Sequence, residues 1–378
     1  MSDSDVFIVS AVRTAVGSGR ETGALHSFQP AELTALVMKE AIRRAGVDAD
    51  RLDDAVWGVV TPIGDQGGNL ARLGVLKAGF PIHVPGVSLN RMCGSSQQAV
   101  HFAAQSILAG DTDLVLAGGT EMMSHQPLGA DYPAEWPDVG HPLIHQGLSA
   151  ELMVEKWDLT RDEMDDYAFN SHIKAGRAID AGIFTDQILP IPLPTGVQFT
   201  VDQGVRRPPD REKMRTLKPV FKEDGRVTAA NSSQVSDGAA ALLLASASAV
   251  GRYNLSPLAR IVARLAVGSD PTLMLDGPIP ATQKVLKRAG LTLADMDVIE
   301  INEAFACVPI AWARELHPDM EKVNPHGGAI AHGHPLGATG AVLMTKLVYE
   351  LMRIKGKYGL QTMCIGHGMA TATVIERV

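Results

Sequence analysis

Three cysteines occur in the 378 residues, Cys93, Cys307 and Cys364. Cys93 sits where a β-type run ends and a Gly-Ser-Ser turn opens a helical stretch, in NRMCGSSQQAV. Unpaired amides and the positive end of the helix dipole would face its sulfur there and favour the thiolate, the reactive form. Cys364 lies in TMCIGHGM, at a strand end before Gly366 and Gly368, where backbone can come close to a ligand. Cys307 falls inside the apolar helical run FACVPIAW and reads as a packed small hydrophobe. His326, His332 and His334 stand among glycines in NPHGGAIAHGHPLGATGA, with Pro335 at the expected first position of a helix. A histidine at a helix entrance suits general-base work. A metal site is disfavoured, because the cysteines are distant in sequence and no HExxH-type pair occurs. The Gly-rich run also lacks the GK[ST] ending of a phosphate loop. Asn302, in NEAFA after the strand DVIEI, could hold a water or donate to a developing oxyanion; it could equally cap the next helix.

The elements that must position these residues follow an α/β grammar. Strands are expected at DVFIVSAVR, DDAVWGVV, GVSLNRMCG and TDLVLAGG, with helices at AELTALVMKEAIRRAG, GNLARLGVLKAG and SSQQAVHFAAQSILAG. From Met122 to Arg226 the alternation breaks at DYPAEWPDVGHP and ILPIPLPTG, which predicts an inserted lobe. It returns with GAAALLLAS and ARIVARLAV and closes on the strands LQTMCIG and TATVIER. AIRRAGVDADRLDDAVWG, from Ala41, resembles VLKRAGLTLADMDVIEIN, from Val285, at an offset of 244 positions. Each copy is a helix, an Arg-Ala-Gly stop and a strand, so the chain reads as a duplication.

Together the blocks around Cys93, Asn302, His334 and Cys364 resemble the thiolase family. The likeness extends to VSAVRTAVGS, AGGTEMMS, HQGLSAELMVEKW, LKPVFKEDGRVTAANSSQVSDGAAA and DGPIPATQKVLKRAG, and so spans nearly the whole chain. It implies an α/β thiolase fold: two βαβαβαββ halves in a five-layered α/β/α/β/α core with an inserted loop domain. The divisions expected are 1–121 for the first part of the N-terminal half, 122–226 for a CoA-binding loop domain, 227–256 for the return, and 257–378 for the C-terminal half. By the same resemblance Cys93 is the acylated nucleophile, His334 its base and Cys364 the acid/base at the substrate α-carbon. Asn302, through a water, and His334 would form one oxyanion hole; the amides of Cys93 and Gly366 would form the other. Arg206 would lie near the CoA nucleotide and Ser233 near the pantetheine, and Arg206, Arg207 and Arg211 would supply a positive patch.

The implied activity is thiolytic cleavage of a 3-ketoacyl-CoA to acetyl-CoA or propionyl-CoA and a shortened acyl-CoA, in degradation of fatty or sterol-derived chains. Coenzyme A is then a co-substrate, with no permanently bound cofactor and no metal. The alternatives are an acetoacetyl-CoA-forming biosynthetic thiolase and a catalytically silent CoA- or lipid-binding relative. A ketosynthase-type enzyme is disfavoured by Asn302 and Cys364, where that class uses histidines. The sequence departs from the usual pattern at His367, in place of a glycine, and at Gln146, in place of a methionine over the substrate. The insert is compact at LPIPLPTGV, as in degradative relatives.

Composition is consistent with this reading. Acidic residues outnumber basic ones by 42 to 34, which disfavours nucleic acid as a partner. Three cysteines make no disulfide framework, and no run approaches the roughly 20 apolar residues of a membrane span. MSDSDVFIVS carries no basic signal region, which predicts a cytoplasmic protein with no membrane partner. Acyl-CoA and CoA are the expected ligands, and a homodimer or homotetramer the expected assembly.

Overall fold

Two helices show how the sequence writes both halves of the molecule. Pro30–Ala45 and Pro278–Ala289 each begin on proline, whose missing N–H is one that a helix start leaves unpaired anyway. Each ends in basic residues followed by a left-handed glycine, Gly46 at φ 66° and Gly290 at φ 68°. A 3-10 turn follows in both, Ala49–Arg51 and Leu293–Asp295, and then a strand, Asp54–Gly58 or Val298–Ile301. The computed structural model describes residues 5–378, and the first four residues of the N-terminus read above for a targeting signal lie outside it.

Strand pairing repeats as faithfully as element order. Asp54–Gly58 runs parallel to Leu114–Met122, which is antiparallel to Ser236–Ser246, which is antiparallel to Val6–Thr14. In the second half Val298–Ile301, Tyr358–Ile365, Met369–Arg377 and Ala259–Gly268 make the same succession. Val87–Leu89 edges the first sheet beside Asp54–Gly58; its counterpart has shrunk to one bridge between Ile299 and Val323. The halves join where Phe7 and Ile8 pair antiparallel with Arg260 and Ala259, giving one mixed sheet of eleven strands. That join is not visible in the sequence.

Helices Pro30–Ala45 and Leu70–Lys77 cover the outer face of the first half, and Pro278–Ala289 and Cys307–Leu316 that of the second. Ser95–Ala109 and Leu336–Ile354 lie between the halves and touch strands of both, completing the five layers. A central layer has no solvent face, so Leu336–Ile354 is buried on nearly every side; its sequence is mostly apolar, and its buried Lys346 and Glu350 are paired with Glu300 and His326. The two central helices meet backbone to backbone: a Cβ on Gly340 would lie 2.3 Å from the Gln97 amide. Pro335 precedes this helix as its cap instead of opening it.

Neighbouring antiparallel strands need only a tight turn between them. Leu114–Met122 and Ser236–Ser246 are such neighbours, yet the intervening chain holds the helices Gln146–Lys156, Arg161–Asp180 and Arg211–Arg215. This is the inserted lobe. It is tied to the core by Asp202, whose carboxylate takes both Nη atoms of buried Arg13 at 2.7 and 3.1 Å and the Val16 amide at 2.8 Å. Among the described residues no helix is long and apolar enough to cross a membrane.

Candidate active site

Cys93 occupies a turn held from several directions. Met92 before it has a left-handed φ of 46°, a strained value for a residue with a Cβ. The Asn90 side chain accepts the Met92 N–H at 2.7 Å and donates to the Val60 carbonyl at 2.8 Å. Ser95 Oγ donates to the Met92 carbonyl at 2.6 Å and accepts the Arg91 N–H at 2.9 Å. Gly94 follows because a Cβ there would sit 2.3 Å from Ile365 Cδ1, so the second cysteine's strand end lies against this turn. The Gly366 N–H and the Cys93 N–H both face the Cys93 sulfur.

The resting sulfur is nevertheless a thiol. Burial pushes it up to about 11, the Glu121 carboxylate adds to the rise, and the two amides only partly oppose it. The expectation that a helix start would favour the thiolate therefore fails: desolvation outweighs the two amides. Cys364 is 1% exposed, paired across the hairpin with Ala370, and burial raises it well above the usual thiol range. Its next largest influences are Cys93 and Cys307, which places each of those sulfurs within electrostatic reach of Cys364. Cys307 is the first residue of helix Cys307–Leu316, not interior to it, and packs in the same apolar cluster as Cys364.

Asn302 and His334 come together although 32 residues apart. Asn302 leaves strand Val298–Ile301 with its N–H on the Thr362 carbonyl, and its Nδ2 lies 3.4 Å from His334 Nε2. On the other side of the ring, His334 Nδ1 lies 2.6 Å from Thr339 Oγ1. That hydroxyl donates to the Pro335 carbonyl at 2.8 Å, so it accepts from Nδ1–H and leaves Nε2 as the basic nitrogen, its lone pair toward the Asn302 amide. Burial lowers His334 to about 4, which keeps it neutral at physiological pH. The Cys93 side chain shares an apolar cluster with Leu336 and Met123, which sets it beside the chain segment following His334.

Two buried carboxylates hold these segments, and neither was singled out from sequence. Glu303 accepts from Ser171 Oγ at 2.7 Å, Asn324 Nδ2 at 2.8 Å, Tyr167 at 3.0 Å and the Ile330 amide at 3.2 Å. It thereby locks the Asn302 turn to the histidine loop. Glu121 accepts the Val60, Thr61 and Gly337 amides at 2.8, 3.1 and 2.9 Å, fixing the start of helix Leu336–Ile354. The available signal was an acid at the end of an apolar strand run, in VIEINE and LVLAGGTE, since buried acids persist only where they are paired.

The other histidines do different work. His332 Nδ1 lies 2.8 Å from Asp202, and His326 Nε2 lies 2.8 Å from Glu350. Among the described residues no group of three or more His, Cys, Asp or Glu is placed to hold a metal ion. The arginine cluster is largely neutralised: Arg207 pairs with Asp180 at 2.7 Å and Arg211 with Asp166 at 2.9 Å. Exposed Arg206 instead lies 3.2 Å from His172 Nε2, so one guanidinium, not three, is left for an anionic ligand. Ser233 donates its N–H to the Ala304 carbonyl at 2.9 Å, within reach of the Asn302 turn.

Gly366 and His367 open onto a pocket of about 360 Å³ whose other walls include Leu128, Tyr132, Trp136, Gln146 and Met274. Its size and mostly apolar lining suit a small-molecule site.

The thiolase N-terminal domain model matches residues 6–248 and the thiolase C-terminal domain model residues 255–377. A steroid 3-ketoacyl-CoA thiolase of Mycobacterium tuberculosis is 46% identical over 99% of this chain and 94% of its own length. A beta-ketothiolase of Cupriavidus necator is 42% identical, and an acetyl-CoA acetyltransferase of Pseudomonas aeruginosa 40%, each over 99% of both chains. A buried cysteine facing two backbone amides, within reach of a second cysteine, on a duplicated five-layered fold matched along its length, makes this chain an acyltransferase of the thiolase family.

Proposed function

We propose that this chain is a 3-ketoacyl-CoA thiolase that cleaves its substrate with CoA through an acyl-Cys93 intermediate. The observation that carries the reading is the pair of amides, from Cys93 and Gly366, aimed at the Cys93 sulfur. Such donors stabilise the negative charge that develops on the oxygen of an acyl group held on that sulfur.

Cys93 starts as a thiol and His334 as a neutral imidazole, so proton transfer accompanies attack. His334 Nε2 takes the thiol proton as sulfur attacks the 3-keto carbon. The oxyanion sits on the Cys93 and Gly366 amides. Collapse breaks the Cα–Cβ bond and leaves the shortened acyl group on Cys93. The departing acetyl-CoA enolate, held by His334 Nε2–H and by Asn302 through a water as the resemblance implies, takes a proton from Cys364. The Cys364 thiolate then deprotonates incoming CoA, whose sulfur attacks the acyl carbon, and Cys93 recovers its proton from His334.

The pocket beside Gly366, about 360 Å³ and mostly apolar, has room for an acyl group larger than acetyl. That room favours longer or bulkier acyl groups and a degradative role over acetoacetyl-CoA synthesis. The insert, residues 122–226, is the CoA-binding lobe of this reading, with Arg206 at the nucleotide end and Ser233 along the pantetheine. A homodimer is favoured by the edge strand Val87–Leu89, where Val87 is 48% and nearby Ile82 84% exposed.

The test is turnover against 3-ketoacyl-CoAs of graded length and bulk, with and without CoA. Cleavage that requires CoA and rises with acyl size is expected. No CoA-dependent loss of any 3-ketoacyl-CoA would sink the reading.

A further inference from the structure

His367 holds a backbone conformation that suits glycine, φ 61°, with Gly368 at φ 73° after it. A side chain kept at such a position is costly to the fold, which points to use. Its ring does not leave the pocket. It meets Trp136 edge-on at 5.0 Å, and Trp136 meets Tyr132 in the same way at 5.1 Å. This ladder of three rings joins the loop that carries Gly366 to the inserted lobe, and all three rings line the 360 Å³ pocket.

The wall is apolar except at a few points, and its lining contains no Lys, Arg, Asp or Glu. His145, on the same wall, has its Nδ1 occupied by the Gly147 amide at 3.1 Å. His367 differs: among the described residues it alone in this lining carries a buried polar atom, Nδ1, without a hydrogen-bond partner. Buried polar groups rarely stay unpaired, and a site that leaves one open discriminates for ligands that close it.

We propose that His367 is a specificity-determining residue that pairs with a neutral oxygen, carbonyl or hydroxyl, carried on a bulky ring-bearing acyl group seated against Trp136 and Tyr132. The inference rests on the thiolase reading above. Burial holds His367 below its usual range, so the ring is neutral and offers either a donor or an acceptor. A carboxylate on the acyl group would meet neither a cation nor a charged imidazole here, so ring oxygens, not acids, are the favoured class.

The test compares 3-oxo-3-cyclohexylpropanoyl-CoA with its 4-oxocyclohexyl counterpart, taking the ratio of kcat/KM within each variant so that any general loss cancels. The native chain is expected to favour the oxygenated substrate by about tenfold, the worth of one well-placed hydrogen bond. His367→Phe, which keeps the edge contact with Trp136, should bring the ratio to one or below. His367→Gly, which relaxes the left-handed backbone and so should fold, is expected to do the same. A native ratio at or below one, or a ratio unchanged in both variants, would overturn the proposal. Cleavage of acetoacetyl-CoA with neither ring substrate accepted would also overturn it while leaving the thiolase reading intact. Loss of all 3-ketoacyl-CoA cleavage in the native chain would remove both.

Discussion

Thr339 Oγ1 lies 2.6 Å from Nδ1 of His334 while its own proton goes to the Pro335 carbonyl, so one hydroxyl fixes which imidazole nitrogen is basic. Thr339→Val should lower kcat on the order of 10–100-fold, with less effect on KM, because the tautomer is no longer imposed. Thr339→Ser should restore most of it. His334→Ala should cost at least on the order of 100-fold, losing a base and an oxyanion donor together. Equal activity in Val and Ser variants would show that Thr339 only packs.

Cys93→Ala should abolish turnover, and mass spectrometry after mixing the native chain with substrate should find one acyl adduct, on Cys93. Cys307→Ala should keep activity within a few-fold and cost about 1 kcal/mol of stability through a small cavity. Since Cys307 also opens a helix and has its own and the Val308 amide beside its sulfur, the contrast would rest on Cys93 lying against Gly366 at the pocket, not on the helix dipole or on amides alone. An adduct on Cys307 or Cys364 would overturn this assignment.

Cys364→Ala should separate two half-reactions. Exchange of label between an acyl-CoA and free CoA needs Cys93, His334 and the amide pair. Deuterium entry from heavy water into the acetyl-CoA methyl group needs a second thiol at the α-carbon. The variant should keep the first within about tenfold and lose the second. Equal loss of both in a folded protein would make Cys364 part of the nucleophile's activation.

Acid should destabilise the fold through its buried imidazoles. His334 is lowered to about 4 and His101 to about 3, each chiefly by burial, so between those values and 6.5 the unfolded chain binds more protons. Stability then rises with pH through that window and is lost on acidification, by a few kcal/mol in total near pH 4. Cys93, raised to about 11, acts at the other end: its contribution is whole below pH 9 and fades as pH climbs toward 11. Urea unfolding at pH 4.5, 7 and 10 should therefore show its highest midpoint at pH 7. A midpoint unchanged between pH 4.5 and 7 would show that these histidines protonate without cost.

Asp202 anchors the insert to the core and holds His332, two residues before His334. Asp202→Ala leaves the Arg13 charge buried and unpaired, a loss of roughly 3–5 kcal/mol. Thermal unfolding should record it as a fall in Tm. An unchanged Tm would mean that water reaches Arg13.

What the sequence by itself determined is everything written in local or repeated code. The Pro starts and Gly stops of Pro30–Ala45 and Pro278–Ala289, the repeat at an offset of 244 positions, and the broken alternation after Met122 were legible because capping, periodicity and turn chemistry act over a few residues. Cys93, His334, Cys364 and Asn302 were legible as motifs, and the family match spans the chain. Only tertiary structure decided what these groups are in place. The helix start near Cys93 suggested a thiolate, but burial by residues from both halves leaves a thiol at about 11. Three neighbouring arginines suggested a basic patch, but Asp180 and Asp166, distant in sequence, neutralise two of them. Thr339, Glu303 and Glu121 matter through partners 4 to 216 residues away. Desolvation and pairing depend on the atoms that surround a group, and those atoms come from segments that a linear reading cannot bring together.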